Sequence, residues 1–281
     1  MSKLKEKTGY FLLALLLLGM IVFGSKAYTH AIAFEKATTE LVTHQGAKEQ
    51  AQLSLETFAK SILGGLVNSE RNDVIVNLKE KQHFAMQEAQ RYTRYTMYLL
   101  GTLMLSYFYV PLRIFTLFGA LATLVSLVLG LVTPILMVTI HKEVEYVGDI
   151  VLSFESKGII GSIEKLFSNG DVVVALVILI FSVIVPVLKV LSLLFVSVFM
   201  QFDFAHTVIR FFKLIGKWSM VDVFVVAVFL VYLTANKAEV SRAEVEVGLY
   251  FFLGYVIVSM ILSLSADKML REANSVKTLL G

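Results

Sequence analysis

Five stretches of this sequence stay apolar for about the length a helix needs to cross a bilayer: about Tyr10 to Ala27, Ile114 to Ile140, Val172 to Phe199, Trp218 to Thr234 and Gly248 to Ala266. A hydrocarbon core about 30 Å thick takes roughly 20 helical residues. Within it every backbone N–H and C=O must find a partner in the protein, which leaves helices or a closed barrel. A barrel would show short alternating segments, and these runs are continuous. Of 281 residues, 57% are hydrophobic and only 17% charged, and mean hydropathy is +0.77. A water-soluble domain carries about a quarter charged residues. The chain reads as an all-α, multi-pass membrane protein.

Absences narrow the function classes. With no cysteine there is no disulfide framework, thiolate metal site or cysteine nucleophile. The net charge of +3 gives no ground for a nucleic-acid partner. No phosphate-binding loop, G-x-S-x-G elbow, H-E-x-x-H motif or dense carboxylate pair occurs. No catalytic residue, cofactor or metal is therefore assigned, and the chain is not read as an enzyme.

The chain divides into five parts. Residues 1–28 hold an anchor, in which Lys3, Lys5 and Lys7 precede "YFLLALLLLGMIVFG". A signal peptide cleaved near Gly24, Ser25 or Ala27 is the competing reading; the length of the apolar run favours an uncleaved anchor. Residues 29–94 are polar, with nine Lys/Arg from Lys26 to Arg94 against eight Asp/Glu. Leu55, Phe58, Ala59, Ile62 and Leu66 follow helical spacing, as do Phe84, Ala85 and Ala89. Gly64-Gly65 and "NSERND" interrupt that pattern, which predicts an extramembrane helical pair with a turn near the breaks. The pair serves as a spacer or a docking element; homo-oligomer formation through it is the alternative use, although no heptad is sustained.

Residues 95–113 hold a short tyrosine-rich helix, apolar from Met97 to Val110. Either it spans, with Tyr92 and Tyr95 at one surface and Tyr107 and Tyr109 near the other, or it lies in the interface. Residues 114–270 contain the four remaining spans, and 271–281 form a tail. Counting the tyrosine-rich stretch gives about six spans and a consistent orientation. With both termini in the cytoplasm, the cytoplasmic pieces carry ten Lys/Arg, whereas the two short outer loops carry five Lys/Arg and nine Asp/Glu. An odd number of spans breaks that bias for half the chain.

Polar groups interrupt three spans. In "FSVIVPVLKVLSLL", Pro186 removes a backbone donor and crowds the turn before it, predicting a kink near Ser182. Lys189 lies deep in the same span. It either snorkels to the headgroups or faces a partner or watery cavity, the default reading of an intramembrane ion. In "GKWSMVDVFVVAVFLVYL", Asp222 shares a helix face with Trp218, and Ser219 lies one turn before it. The plainer reading of Asp222 is a wetted carboxylate at a helix start. In "LVTPILMVTI", Pro134 predicts a second kink. His141 reads as an interfacial histidine, His206 as a loop residue, and "HKEVEY" as solvated surface.

"PVLKVLSLL", "GKWSMVDVFVVAVFL" and "VEVGLYFFLGYVIVSMILS", in that order, resemble the membrane module of the paraquat-inducible protein A family. "LVTPILMVTI" fits the end of that module's first span. The resemblance covers about Phe115 to Leu270. It implies a tetraspanin-like four-helix core, an inner-membrane location in a Gram-negative envelope, and work beside mammalian-cell-entry (MCE) domain proteins whose tunnels or rings carry lipid. It also implies that Lys189, Asp222, Ser182 and Ser219 match polar positions used in lipid loading and proton coupling, with Ser259 as a hydroxyl in the last span. Family members often carry two modules and cytoplasmic cysteine-rich zinc ribbons. This chain has one module and no cysteine, so no zinc site carries over.

The expectation is an inner-membrane component that passes phospholipid to or from an MCE-type tunnel, with Lys189 and Asp222 sharing charge or a proton between helices. The rival expectation is a non-transporting scaffold or envelope-stress sensor that binds a periplasmic partner through residues 29–94.

Overall fold

The computed structural model describes residues 2–44, 69–144, 148–199 and 241–280. In chain order these form α1 (Ser2–His44), α2 (Ser69–Leu105), α3 (Leu112–Val132), β1 (Leu136–Val144), β2 (Gly148–Lys157), α4 (Ile159–Ser168), α5 (Val172–Ile178), α6 (Val185–Phe199), β3 (Ser241–Val245) and α7 (Val247–Leu280). Among the described residues, four helical stretches are long and apolar enough to cross a membrane: Thr8–Leu41, Leu112–Val132, Val172–Val198 and Val247–Ala266. The multi-pass helical membrane class stands. The expected span Trp218 to Thr234 lies outside the described residues.

No proline occurs before Pro111, and α1 runs unbroken through the change from apolar to polar sequence. Its 43 residues reach about 65 Å at 1.5 Å per residue, twice a hydrocarbon core. Antiparallel to it, α2 returns along the same line. Gln82 Nε2 donates to Thr38 Oγ1 at 2.8 Å, Ala85 packs on Phe34, Tyr92 stacks on Phe23, and Leu100 and Leu103 join Leu13 and Met20 in one apolar cluster. The boundaries expected at 28/29 and 94/95 therefore fall inside continuous helices. Polarity changes there, but nothing that stops a helix does. The turn expected at Gly64-Gly65 lies outside the described residues, and α2 begins within "NSERND", at Ser69.

The tyrosine-rich stretch is the last part of α2. It continues into a 3-10 turn, Ser106–Phe108, and ends at Val110, level with Gly9 of α1. Leu100 and Leu103 share a core with Phe115 of α3 and Val258 and Leu262 of α7. The stretch thus packs among the apolar helices, while the helices long and apolar enough to cross a membrane do not include it.

α3 begins after Pro111, whose carbonyl accepts the Phe115 N–H at 3.0 Å, and stops at a second proline. A residue before proline is pushed out of the helical region; Thr133 is extended, at φ −80° and ψ 144°. Pro134 is a stop and not a kink, and the expected span to Ile140 is shorter by eight residues, ending at Val132. The segment beyond, rich in β-branched residues, forms β1.

A three-stranded antiparallel sheet in the order β2-β1-β3 stands where loops were expected. Leu136 pairs with Lys157 on one side and Val245 on the other, and a bulge falls between Ile140 and His141. His141 and the start of "HKEVEY" are therefore strand residues. At the other expected kink, Pro186 lacks the N–H that would bond the Ser182 carbonyl, and the chain widens into π-helix over Leu179–Ile184. α7 leaves β3 and runs antiparallel to α3. It remains helical through the residues expected as a tail, to Leu280.

Two glycines set how close α3 and α7 come. A Cβ at Gly248 would sit 2.5 Å from the carbonyl oxygens of both Thr133 and Pro134, and one at Gly130 would sit 2.7 Å from the Phe252 backbone nitrogen. Small residues let helix backbones approach in this way in membranes. Backbone bonds then staple the junction: Glu246 N–H donates to Ile135 O at 2.9 Å, and Gly248 N–H to Pro134 O at 2.8 Å.

Candidate functional site

Lys189 on α6 is 1% exposed, and its Nζ donates to Ser259 Oγ of α7 at 3.0 Å. The serine hydroxyl in turn donates to Val256 O at 2.9 Å. This contact lies where two apolar clusters meet. Val190 and Val256 belong to one, Leu193 and Leu262 to the other. Counted along α6, Lys189 is about 14 Å from Val198; counted along α7, Ser259 is about 18 Å from Val247. Both positions are near the middle of a 30 Å layer. The ammonium is directed into the bundle and not toward a headgroup layer.

Other polar residues share that depth. Gly119 faces Leu262, and Gly130 meets Phe252, so Thr123 and Ser126 of α3 fall at about the level of residues 255–259 of α7. Both are wholly buried. Thr123 Oγ1 donates to Gly119 O at 2.7 Å, while Ser126 Oγ has no hydrogen-bond partner among the described residues. Ser182, two turns before Lys189, is buried in the π-helical segment. Pro186 is buried between them. π-helical turns inside α-helices occur frequently at functional sites, and this one holds a buried serine two turns from a buried lysine.

Of the residues singled out from sequence, the structure joins Lys189 to Ser259 and places Ser182 on the same helical segment. Asp222, Ser219, Trp218 and His206 lie outside the described residues. Pro134 lies at the sheet junction, away from the mid-depth layer. Thr123 and Ser126 had a faint signal, two hydroxyls three residues apart in "TLVS", hidden by the strength of the surrounding apolar run. Glu246, 2% exposed, gave none: it looked like a loop acid, and only the β3–α7 junction buries it.

Residues 114–271 match the paraquat-inducible protein A family, which is more than half of the chain. The chain belongs to the paraquat-inducible protein A family. Over 118 residues, 40% of the chain, it is 25% identical to a protein of Haemophilus influenzae described as a probable intermembrane transport protein. That match spans 28% of the relative's length, so the chain corresponds to well under two thirds of it. No solved structure matches. The family segment starts in the first turn of α3 and ends in α7, and it includes Lys189, Ser182 and Ser259. The α1–α2 pair stands outside it.

Proposed function

We propose that this paraquat-inducible protein A family member is a lipid-handling subunit of the bacterial inner membrane that passes phospholipid to or from an MCE-type tunnel. Supporting this reading most directly is Lys189, a cation held at mid-depth against Ser259. A serine hydroxyl solvates an ammonium but brings no opposite charge. Buried ions cost several kcal/mol unless paired or wetted, and Asp222, on the next span in sequence, carries the complementary charge. Protonating Asp222 removes the attraction, and the π-helical segment that holds Ser182 gives α6 a place to shift and open a path for an acyl chain. The name of the Haemophilus influenzae relative agrees with such a role.

A double-mutant cycle tests the pair. Lys189→Ala and Asp222→Asn are each expected to abolish lipid-dependent envelope integrity while leaving membrane levels near wild type. Each single change strands one charge and lowers the melting temperature in detergent; the double variant recovers stability but not activity. Full activity in both single variants would sink the switch.

In this reading both termini are cytoplasmic and the α1–α2 arm extends into the periplasm. Reporter fusions after Lys60 and Lys157 are expected to read periplasmic, and those after Lys213 and Lys277 cytoplasmic. A cytoplasmic signal after Lys60 overturns the topology. The reach of α1 beyond the bilayer also favours the rival, a scaffold or stress sensor docked through the arm. That reading predicts normal function from the Lys189 variant and loss on arm deletion.

A further inference from the structure

Where α3 ends, a cleft of about 570 Å³ opens between the N-terminal arm and the module. Its floor is apolar, with Val132 and Pro134, and its polar wall holds Glu35 of α1 and Glu164 and Lys165 of α4. The 21 residues of α3 measure about 31 Å, close to a full hydrocarbon thickness, so its last residue marks a membrane edge. Gly24 of α1 packs on Leu129 at that edge, and Glu35 lies three turns further out. α4 turns Ile159 and Ile163 inward and leaves Ile160 and Phe167 half exposed beside its charges, the pattern of a helix lying in an interface. The cleft therefore opens at the membrane edge, with an apolar floor toward the acyl chains, and its wall at Glu35 reaches outward past the headgroup layer.

We infer that this cleft binds the headgroup of an aminophospholipid, taking a primary ammonium between Glu35 and Glu164 and the adjacent phosphate on Lys165. Two carboxylates against one lysine disfavour a headgroup with net negative charge and favour one with a cation next to its phosphate. A quaternary ammonium is recognised by aromatic faces, and no aromatic residue lines the cleft among the described residues. A primary ammonium instead donates charge-assisted hydrogen bonds, which carboxylates accept. The inference concerns binding at the rim and is separate from the Lys189 switch.

The full chain is reconstituted in nanodiscs holding equal parts phosphatidylethanolamine, phosphatidylglycerol and phosphatidylcholine, then released in mild detergent, and retained lipid is quantified by mass spectrometry. Wild type is expected to retain phosphatidylethanolamine above its bulk share. The Glu35→Gln, Glu164→Gln double variant is expected to lower that preference roughly tenfold, while Gly101→Ala, outside the cleft lining, leaves it unchanged. A second variant covers a fold lost to the first: a Cβ at Gly161, in the cleft wall, meets nothing within 4 Å, so Gly161→Leu fills the cleft and displaces the lipid. Equal retention of the three lipids, preference for phosphatidylglycerol, or unchanged preference in both cleft variants overturns the assignment. Loss of preference in Lys189→Ala alone would place the retained lipid at mid-depth instead.

Discussion

The arm and the module solve the same packing problem differently. α1 and α2 meet along a long seam of side chains, Ala31 beside Ala89 and Phe34 beside Ala85, with Tyr92 between Phe23 and His30 and Lys26 over its ring at 5.3 Å. No single contact there defines the structure. The module instead concentrates its constraints: two close backbone approaches, a proline stop, a π-helical segment and a buried cation. Cohesion spread over many side chains tolerates change, whereas a backbone contact or a buried ion has no substitute. The same small substitution should then have opposite effects in the two regions.

The largest effect is expected from Gly248→Ala. Its added carbon would lie 2.5 Å from two backbone oxygens, which cannot swing aside as a side chain does. Relief requires parting α7 from the α3 exit, and with it the Gly248 to Pro134 hydrogen bond. The cost is about 3 kcal/mol, read as a fall in melting temperature in detergent. An unchanged melt would mean that the junction is looser than its geometry and would erase the contrast with the arm.

Ser259→Ala ranks next. It removes the hydroxyl that accepts from Lys189 and leaves the helix backbone untouched. A hydrogen bond to a charged group is worth about 1.5–3 kcal/mol, so a loss in that range is expected by the same melt. No loss would mean that other groups around Lys189 carry the ammonium.

Legibility in sequence divides along the same line. The arm's helices can be read from spacing, but their continuity cannot, because polarity changes at residues 28 and 94 while helix-forming tendency does not. In the module the resemblance gave the family, and an apolar span containing a lysine gave Lys189. Its contact with Ser259 needed the crossing of α6 and α7, 70 residues apart in sequence. Pro134 misleads because proline inside an apolar run means a kink if helix continues beyond it and a stop if strand does. The residues after it are "ILMVTI", and their β-branched side chains decide for strand. The rim cleft was illegible: Glu35 and Glu164 lie on elements that only tertiary packing brings to one edge.

The smallest effect, and the one of opposite sign, is expected from Gly101→Ala in α2. Leu100 and Leu103 face the core, but Gly101 is exposed, and a Cβ there meets nothing within 4 Å. Alanine replaces glycine in a helix interior with a gain of about 0.5–1 kcal/mol, chiefly because the unfolded chain loses freedom. No close approach opposes that gain, so the melting temperature should rise slightly while Gly248→Ala lowers it sharply. A destabilised Gly101→Ala would be informative in its own right. Small residues on a lipid-facing helix permit close approach by a neighbouring helix, so such a result would mean that the outer face of the arm is itself covered. A crosslink from Cys introduced at Tyr98 or Gly101, in a chain without natural cysteine, would then identify what covers it.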